Sequence, residues 1–211
     1  MKPPDNRKYA SAVQRNREPI LKILEQVLPS QGTVLEISSG TGEHAIFFAP
    51  RLRPRIWQPS EPDLRLRESV VAWIKNSPAD NLHFPLDIDV SSMRWAVKSD
   101  IFPKLVLPIN AIVNINMIHI APWIACLGLI GGANLILPTG GILYLYGPYK
   151  QGQKHTTPSN EAFDISLRAQ NAEWGVRNLE DVIAVANKEK FTLLSIYHMP
   201  ANNLSLVFQH Q

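Results

Sequence analysis

Residues Val34 to His44 read V-L-E-I-S-S-G-T-G-E-H. Apolar residues around a carboxylate lead into two serines and a Gly-x-Gly, and an apolar run follows. The pattern predicts a buried strand, a tight turn and the start of a helix. Glu36 closes the strand six residues before Gly42. Glycine has no Cβ, so such a turn lets bare backbone approach a bound nucleotide-like molecule. A glycine pair also serves any tight strand-to-helix turn, so the motif needs support from the rest of the chain.

Glu61 lies 19 residues after Gly42 and just past a second short strand, Arg55 to Gln58. A carboxylate there can accept two hydrogen bonds from ribose hydroxyls. Beside Pro62, expected as a first helical residue, it is equally a favourable charge at a helix N-terminus. A helix over about 63–76 follows, with Leu66, Val70, Trp73 and Ile74 on one face. His83 to Ile88 reads as a third strand, which places Asp87 and Asp89 at its end. Residues 91–107 are ambiguous, with Trp95 and Phe102 suggesting packing. Asn110 to Ile115 is a nearly continuous apolar strand, as expected of a strand covered on both faces.

Upstream, a helix begins near Ser11 and is broken or restarted at Pro19. Ile20, Ile23, Leu24, Val27 and Leu28 form its apolar stripe. Downstream, Pro122 opens a helix reaching about Leu137, and Ile142 to Tyr146 is a fifth strand. Ser159 is the expected cap of a helix over about 160–169. Asn178 is expected to cap another, to about Lys188, with Asp181 at its third position. Phe191 to Tyr197 and Leu204 to Phe208 are the last two strands. Strand and helix alternate through five units, which predicts a parallel α/β sheet with right-handed crossovers. The last two strands are separated by only a short link, too short for a crossover helix, so they must be antiparallel neighbours.

The 211 residues are 45% hydrophobic and 18% charged. That suits one domain over residues 1–211, opened by a helical arm at 1–30, and argues against disorder. The net charge is +3, with Lys2, Arg7, Lys8, Arg15, Arg17 and Lys22 clustered at the start. A basic arm can meet an anionic partner, or simply be solvated. Cys126 is the only cysteine; it excludes an intrachain disulfide and reads as core filler in a reducing, cytoplasmic compartment. The weakly polar run Ile118 to Leu137 carries three glycines and an asparagine, so a buried helix is expected rather than a membrane span. No paired carboxylates or histidine clusters stand at ligand spacing, so no metal is expected.

The acid-x-Gly-x-Gly-x-Gly spacing resembles the first motif of Rossmann-like, class I S-adenosylmethionine (AdoMet)-dependent methyltransferases. Ser38 replaces the first glycine, and Gly40 and Gly42 keep the others. Further stretches are N-R-K-Y-A-S-A-V-Q-R-N-R-E-P-I, W-Q-P-S-E, N-I-N-M-I-H-I-A-P-W, Y-G-P-Y, P-S-N-E-A-F-D and the ending M-P-A-N-N-L-S-L-V-F. With them the chain resembles, over nearly its whole length, an uncharacterised methyltransferase-like family labelled a domain of unknown function. The resemblance implies a mostly parallel seven-stranded sheet with a C-terminal antiparallel hairpin and helices on both faces. It also implies AdoMet as cofactor. Glu36 would then lie under the methionine part, Glu61 would bind the ribose where the family often has Asp, and an acid after strand three would lie near the adenine amino group. Asp89 is favoured for that place because the strand more naturally ends at Ile88, with Asp87 its rival. The turn's N-H groups are expected to meet the methionine carboxylate, and Asn116 completes the expected cofactor set.

The acceptor is expected near the loops after strands four and five and near the N-terminal helix. Candidates are Tyr9, Asn16, Trp123 and Tyr149, with His119 as a general base because an ordinary imidazole titrates near neutrality. His119 also fits a structural hydrogen-bonded group, and Trp123 a packing residue at a helix start. The Asp/Asn-Pro-Pro-Tyr/Phe motif of enzymes that methylate base amines is replaced here by Asn-Ile-Asn-Met-Ile-His. A small-molecule acceptor is therefore favoured over nucleic acid. A non-catalytic AdoMet-binding module and a nicotinamide-dependent oxidoreductase are the alternatives, the terminal hairpin standing against the second.

Overall fold

A computed structural model describes residues 5–92, 95 and 108–211. The chain divides into two compact units, residues 1–89 with 100–113 and residues 90–99 with 114–211.

The first unit opens with helix α1 (Ser11–Val27), which runs through Pro19 without a break. Proline removes one helical N-H. Burial of Val13, Ile20, Leu21 and Leu24 holds the helix across that gap. Strand β1 (Thr33–Ile37) is buried at every position. Helix α2 (Glu43–Phe48) follows the glycine turn and passes into a 3-10 turn at Pro50. Strand β2 (Ile56–Pro59) pairs parallel to β1, with Glu36 opposite Pro59. Helix α3 (Leu64–Lys75) is capped by Asp63, whose side chain accepts the Leu66 N-H. Pro62 thus stands ahead of the cap and not at the first helical position. Leu35, Phe48, Trp57 and Val70 are fully buried at this unit's centre.

The expected third strand does not form as a strand. Residues 81–86 run beside β2 through two isolated parallel bridges, Trp57 to Leu82 and Ser60 to Leu86. Pro85 has no N-H to give the ladder. The Phe84 carbonyl accepts the Gln58 side-chain amide at 2.7 Å instead.

Strand β3 (Ile109–Ile115) crosses from the first unit into the second. The second unit continues with α4 (Trp123–Ile136), whose closely packed face needs small residues. A Cβ on Gly132 would lie 2.2 Å from the Trp95 ring, which is itself buried. Phe102 lies outside the described residues. Cys126 is fully buried in α4, and burial pushes its thiol up to about 12, as core filler requires. Strand β4 (Ile142–Gln151) is twice the expected length. It carries two short additions, β5 (Lys154–His155) antiparallel and β6 (Arg177–Asn178) parallel. Helix α5 (Pro158–Gln170) is capped by Thr157 and not Ser159, because the Thr157 hydroxyl accepts the Asn160 N-H. Helix α6 (Leu179–Lys188) starts after Asn178 as expected, but that side chain accepts the Gln153 N-H instead of capping.

Strands β7 (Phe191–Met199) and β8 (Asn203–His210) form the expected antiparallel pair, and β8 also runs antiparallel to β4. Among the described residues the hydrogen-bonded order is β2-β1-β3-β4-β8-β7, eight strands counting β5 and β6. The expected seven become eight because the strand expected over His83 to Ile88 drops out and two short strands are added. Among those residues, too, no helix is long and apolar enough to cross a membrane.

Candidate functional site

The first unit presents the turn between β1 and α2. Ser38, Gly40 and Gly42 all have positive φ, at +56, +56 and +91°. Ser38 therefore keeps the backbone shape of the glycine it replaces, at the steric cost an L-residue meets there. The two glycines differ sharply. A Cβ on Gly42 would press on the Val70 backbone at 2.9 Å, whereas one on Gly40 would meet nothing within 4 Å. Gly42 is required by packing against α3, and Gly40 faces open space.

Glu61 is buried and holds this turn: its Oε2 accepts the Gly40 N-H at 2.8 Å and its Oε1 the Asp63 N-H at 3.1 Å. Burial raises its pKa, against the pull of those two N-H groups. Each carboxylate oxygen can accept two bonds, so capacity remains on both. Arg67 clamps the same loop by donating to the Glu61 carbonyl at 2.6 Å.

Glu36 turns inward. Its Oε2 accepts from the Ser39 hydroxyl at 2.9 Å and the Trp57 indole at 3.0 Å. Burial pushes its pKa up to about 7, with the two donors opposing. Ser39 and Ser60 lace the turn to β2: the Ser39 N-H donates to the Ser60 carbonyl, and the Ser60 hydroxyl to the Glu36 carbonyl, both at 2.8 Å. Sequence reasoning passed over Ser39, Ser60 and Trp57. Their signal was two serines adjoining strand ends that carry acids. The Gly42 N-H donates to the Ser39 carbonyl. With the Gly40 N-H on Glu61, two amides expected to face a ligand carboxylate are engaged within the turn.

Asp87 is exposed and pairs with Arg67 at 3.1 Å, while Asp89 is exposed beyond it. Tyr9 is 66% exposed and stands edge-on to Trp73. Asn16 is buried, and its Oδ1 is bonded to His44 Nε2 at 2.9 Å.

The second unit holds Asn116, His119, Trp123 and Tyr149. Asn116 has φ +64° and its N-H donates to the Tyr146 carbonyl at 2.8 Å. His119 is 1% exposed and lies over Gly147, where a Cβ would come within 2.3 Å of its Nε2. Its ring stands edge-on to Tyr149, centroids 5.2 Å apart. Both His119 nitrogens and the Tyr149 hydroxyl are buried without hydrogen-bond partners among the described residues. Buried polar atoms are nearly always paired, so these three together stand apart. Burial, aided by Arg177, pushes the His119 pKa down to about 3, which keeps the ring neutral at pH 7. Burial likewise raises the Tyr149 phenol well above its ordinary value.

Trp123 is half-buried under the Arg177 guanidinium, 5.6 Å from the ring centroid. Arg177 donates to the Ile118 and Ala121 carbonyls at 2.8 and 2.6 Å. Trp123 also lines a pocket of about 340 Å³ with Lys150, Arg168 and Arg177.

The family described as "Protein of unknown function (DUF938)" matches residues 7–210. Solved structures are similar in fold at low identity. An O-methyltransferase family protein from Burkholderia thailandensis has a TM-score of 0.76 at 12% identity, over 92% of this chain and 56% of that one. Human N-acetylserotonin methyltransferase in complex with SAM has 0.74 at 11%, over 94% and 52%. An O-methyltransferase family 2 protein from Planctomyces limnophilus in complex with apigenin has 0.71 at 15%, over 90% and 56%. The chain thus spans only about half the length of these proteins. They establish a Rossmann-like, class I methyltransferase fold.

Proposed function

The chain belongs to the DUF938 family, and from that premise we propose that it is an AdoMet-dependent methyltransferase acting on a small-molecule acceptor. The observation that carries this is the turn at Gly40: a positive-φ glycine with open space where a Cβ would stand, its N-H held by a buried carboxylate. Those residues fit the donor. Glu61 would take the ribose hydroxyls through its remaining lone pairs, and Gly40 would allow close backbone approach. Asp89 is proposed near the adenine amino group, with Asp87, exposed and paired to Arg67, as its rival. Glu36 would act beneath the turn by holding Ser39 in place. AdoMet supplies, when bound, a methyl group activated by its sulfonium.

For the acceptor, the second unit offers His119, Trp123 and Tyr149; in the first unit Tyr9 is exposed, whereas Asn16 is taken up by His44. His119 is neutral at pH 7, the form a base needs, but its low pKa makes it a weak one. Proximity and orientation would then supply most of the acceleration. The relatives' names support a small molecule: N-acetylserotonin methyltransferase names one, and apigenin is bound in another.

The burial of His119 also favours a second reading, a non-catalytic AdoMet-binding module. Calorimetry of the full chain with AdoMet, S-adenosylhomocysteine and NADH tests the shared cofactor claim. Binding of the first two is expected, and binding of NADH alone would overturn it. A metabolite screen following S-adenosylhomocysteine release separates enzyme from module, the enzyme requiring an acceptor-dependent signal.

A further inference from the structure

The N-terminal segment is tied to the glycine turn by two buried side chains that the cofactor reading leaves unused. Ser69, on α3, accepts the Lys8 N-H at 2.8 Å and donates to the Thr41 carbonyl at 2.8 Å. Glu43, the first residue of α2, accepts the Ala10 N-H, the Thr41 hydroxyl at 3.1 Å and the Gln14 amide at 3.3 Å. Each therefore bonds the segment with one hand and the turn with the other. The segment has its own dock further along α3. The Trp73 indole donates to the Lys8 carbonyl at 3.1 Å, Tyr9 meets the same ring edge-on, and the Arg7 guanidinium lies 5.0 Å from its centroid.

We infer that Glu43 and Ser69 are positioning residues that couple the docked segment, residues 5–10, to the turn at 40–42. Undocking the segment removes donors from Glu43 and Ser69. A buried carboxylate without its donors is costly, so the turn's arrangement and the segment's docking favour one another. By linkage, a ligand that selects the ordered turn also strengthens docking of the segment, and the reverse holds equally. The ligand half of this inference rests on the AdoMet reading above. The coupling itself does not.

Two variants of the full chain test it. Trp73→Ala deletes three contacts to the segment and none to the turn. Glu43→Gln keeps the side chain's shape while weakening what it accepts. Without ligand, amide hydrogen exchange at Ala10 and at Gly40 and Gly42 is expected to quicken together by at least about fivefold in both variants. The AdoMet dissociation constant is expected to rise by a similar factor. Faster exchange at Ala10 with Gly40 and Gly42 unchanged overturns the coupling, as does unchanged exchange at all three in both variants. A wild-type chain that fails to bind AdoMet sinks the cofactor reading, and the ligand-free exchange then still decides the coupling.

Discussion

The surroundings of the glycine turn and those of Gly147 treat their buried polar groups in opposite ways. Around the glycine turn, Glu36 and Glu61 each receive two hydrogen bonds, and Glu43 receives three. Around Gly147, the His119 and Tyr149 side chains are as deeply buried and have none on their ring nitrogens or hydroxyl. A network with every member satisfied is rigid and specifies one shape; orphaned polar atoms cost free energy until something meets them. The first region is therefore held in one shape. The second carries a cost that no hydrogen bond among the described residues offsets.

The largest effect that tests this contrast is at Gly42. Gly42→Ala combines a positive φ with a clash against the Val70 backbone. It is expected to destabilise the fold by about 3–4 kcal/mol in urea unfolding. A loss below about 1 kcal/mol would show that the turn yields and is not rigid.

The Glu36 carboxyl comes next. Its pKa rises from 4.5 to about 7 on folding, so the folded state holds the proton more tightly. Its contribution is whole below the unfolded value and is lost as pH climbs through the folded one. The shift corresponds to on the order of 3 kcal/mol. Stability measured relative to Glu36→Gln should fall by that order between about pH 4.5 and somewhat above pH 7. A flat difference would mean that the two donors cancel burial. His119 has the opposite sign: with its pKa lowered from 6.5 to about 3, its share is whole above 6.5 and disappears as pH falls toward 3.

Glu61→Ala should weaken AdoMet binding by about 1.5–3 kcal/mol, from lost charge-assisted bonds and a loosened Gly40 amide. An unchanged dissociation constant in calorimetry removes Glu61 from the site. The smallest effect sharpens the contrast inside the second unit. Tyr144→Phe breaks a 2.6 Å bond to the Ser205 hydroxyl and should cost about 1 kcal/mol. Tyr149→Phe removes a hydroxyl with no partner and should be neutral or stabilising by up to about 1 kcal/mol. Equal losses in thermal unfolding would mean that the Tyr149 hydroxyl is bonded after all.

Much of this was legible in the chain. V-L-E-I-S-S-G-T-G-E-H determined a buried strand, a tight turn and the start of a helix, because alternation, glycine and acid spacing are local properties. The final antiparallel pair followed from the short link between Tyr197 and Leu204. What the sequence alone could not decide needed partners distant along the chain. His83 to Ile88 has strand composition, yet Pro85 and the Gln58 amide interrupt its ladder and leave two isolated bridges over 81–86. Pro19 has a breaker's chemistry, yet packing of α1 carries the helix through it. Gly40 and Gly42 are identical letters. Only Val70, 28 residues onward, makes one a packing necessity and leaves the other facing open space. His119 was chosen for an ordinary pKa near neutrality; its burial, a tertiary fact, changed its chemistry. Local conformation is written in neighbouring residues, whereas burial and hydrogen-bond partnership are settled only when remote segments meet.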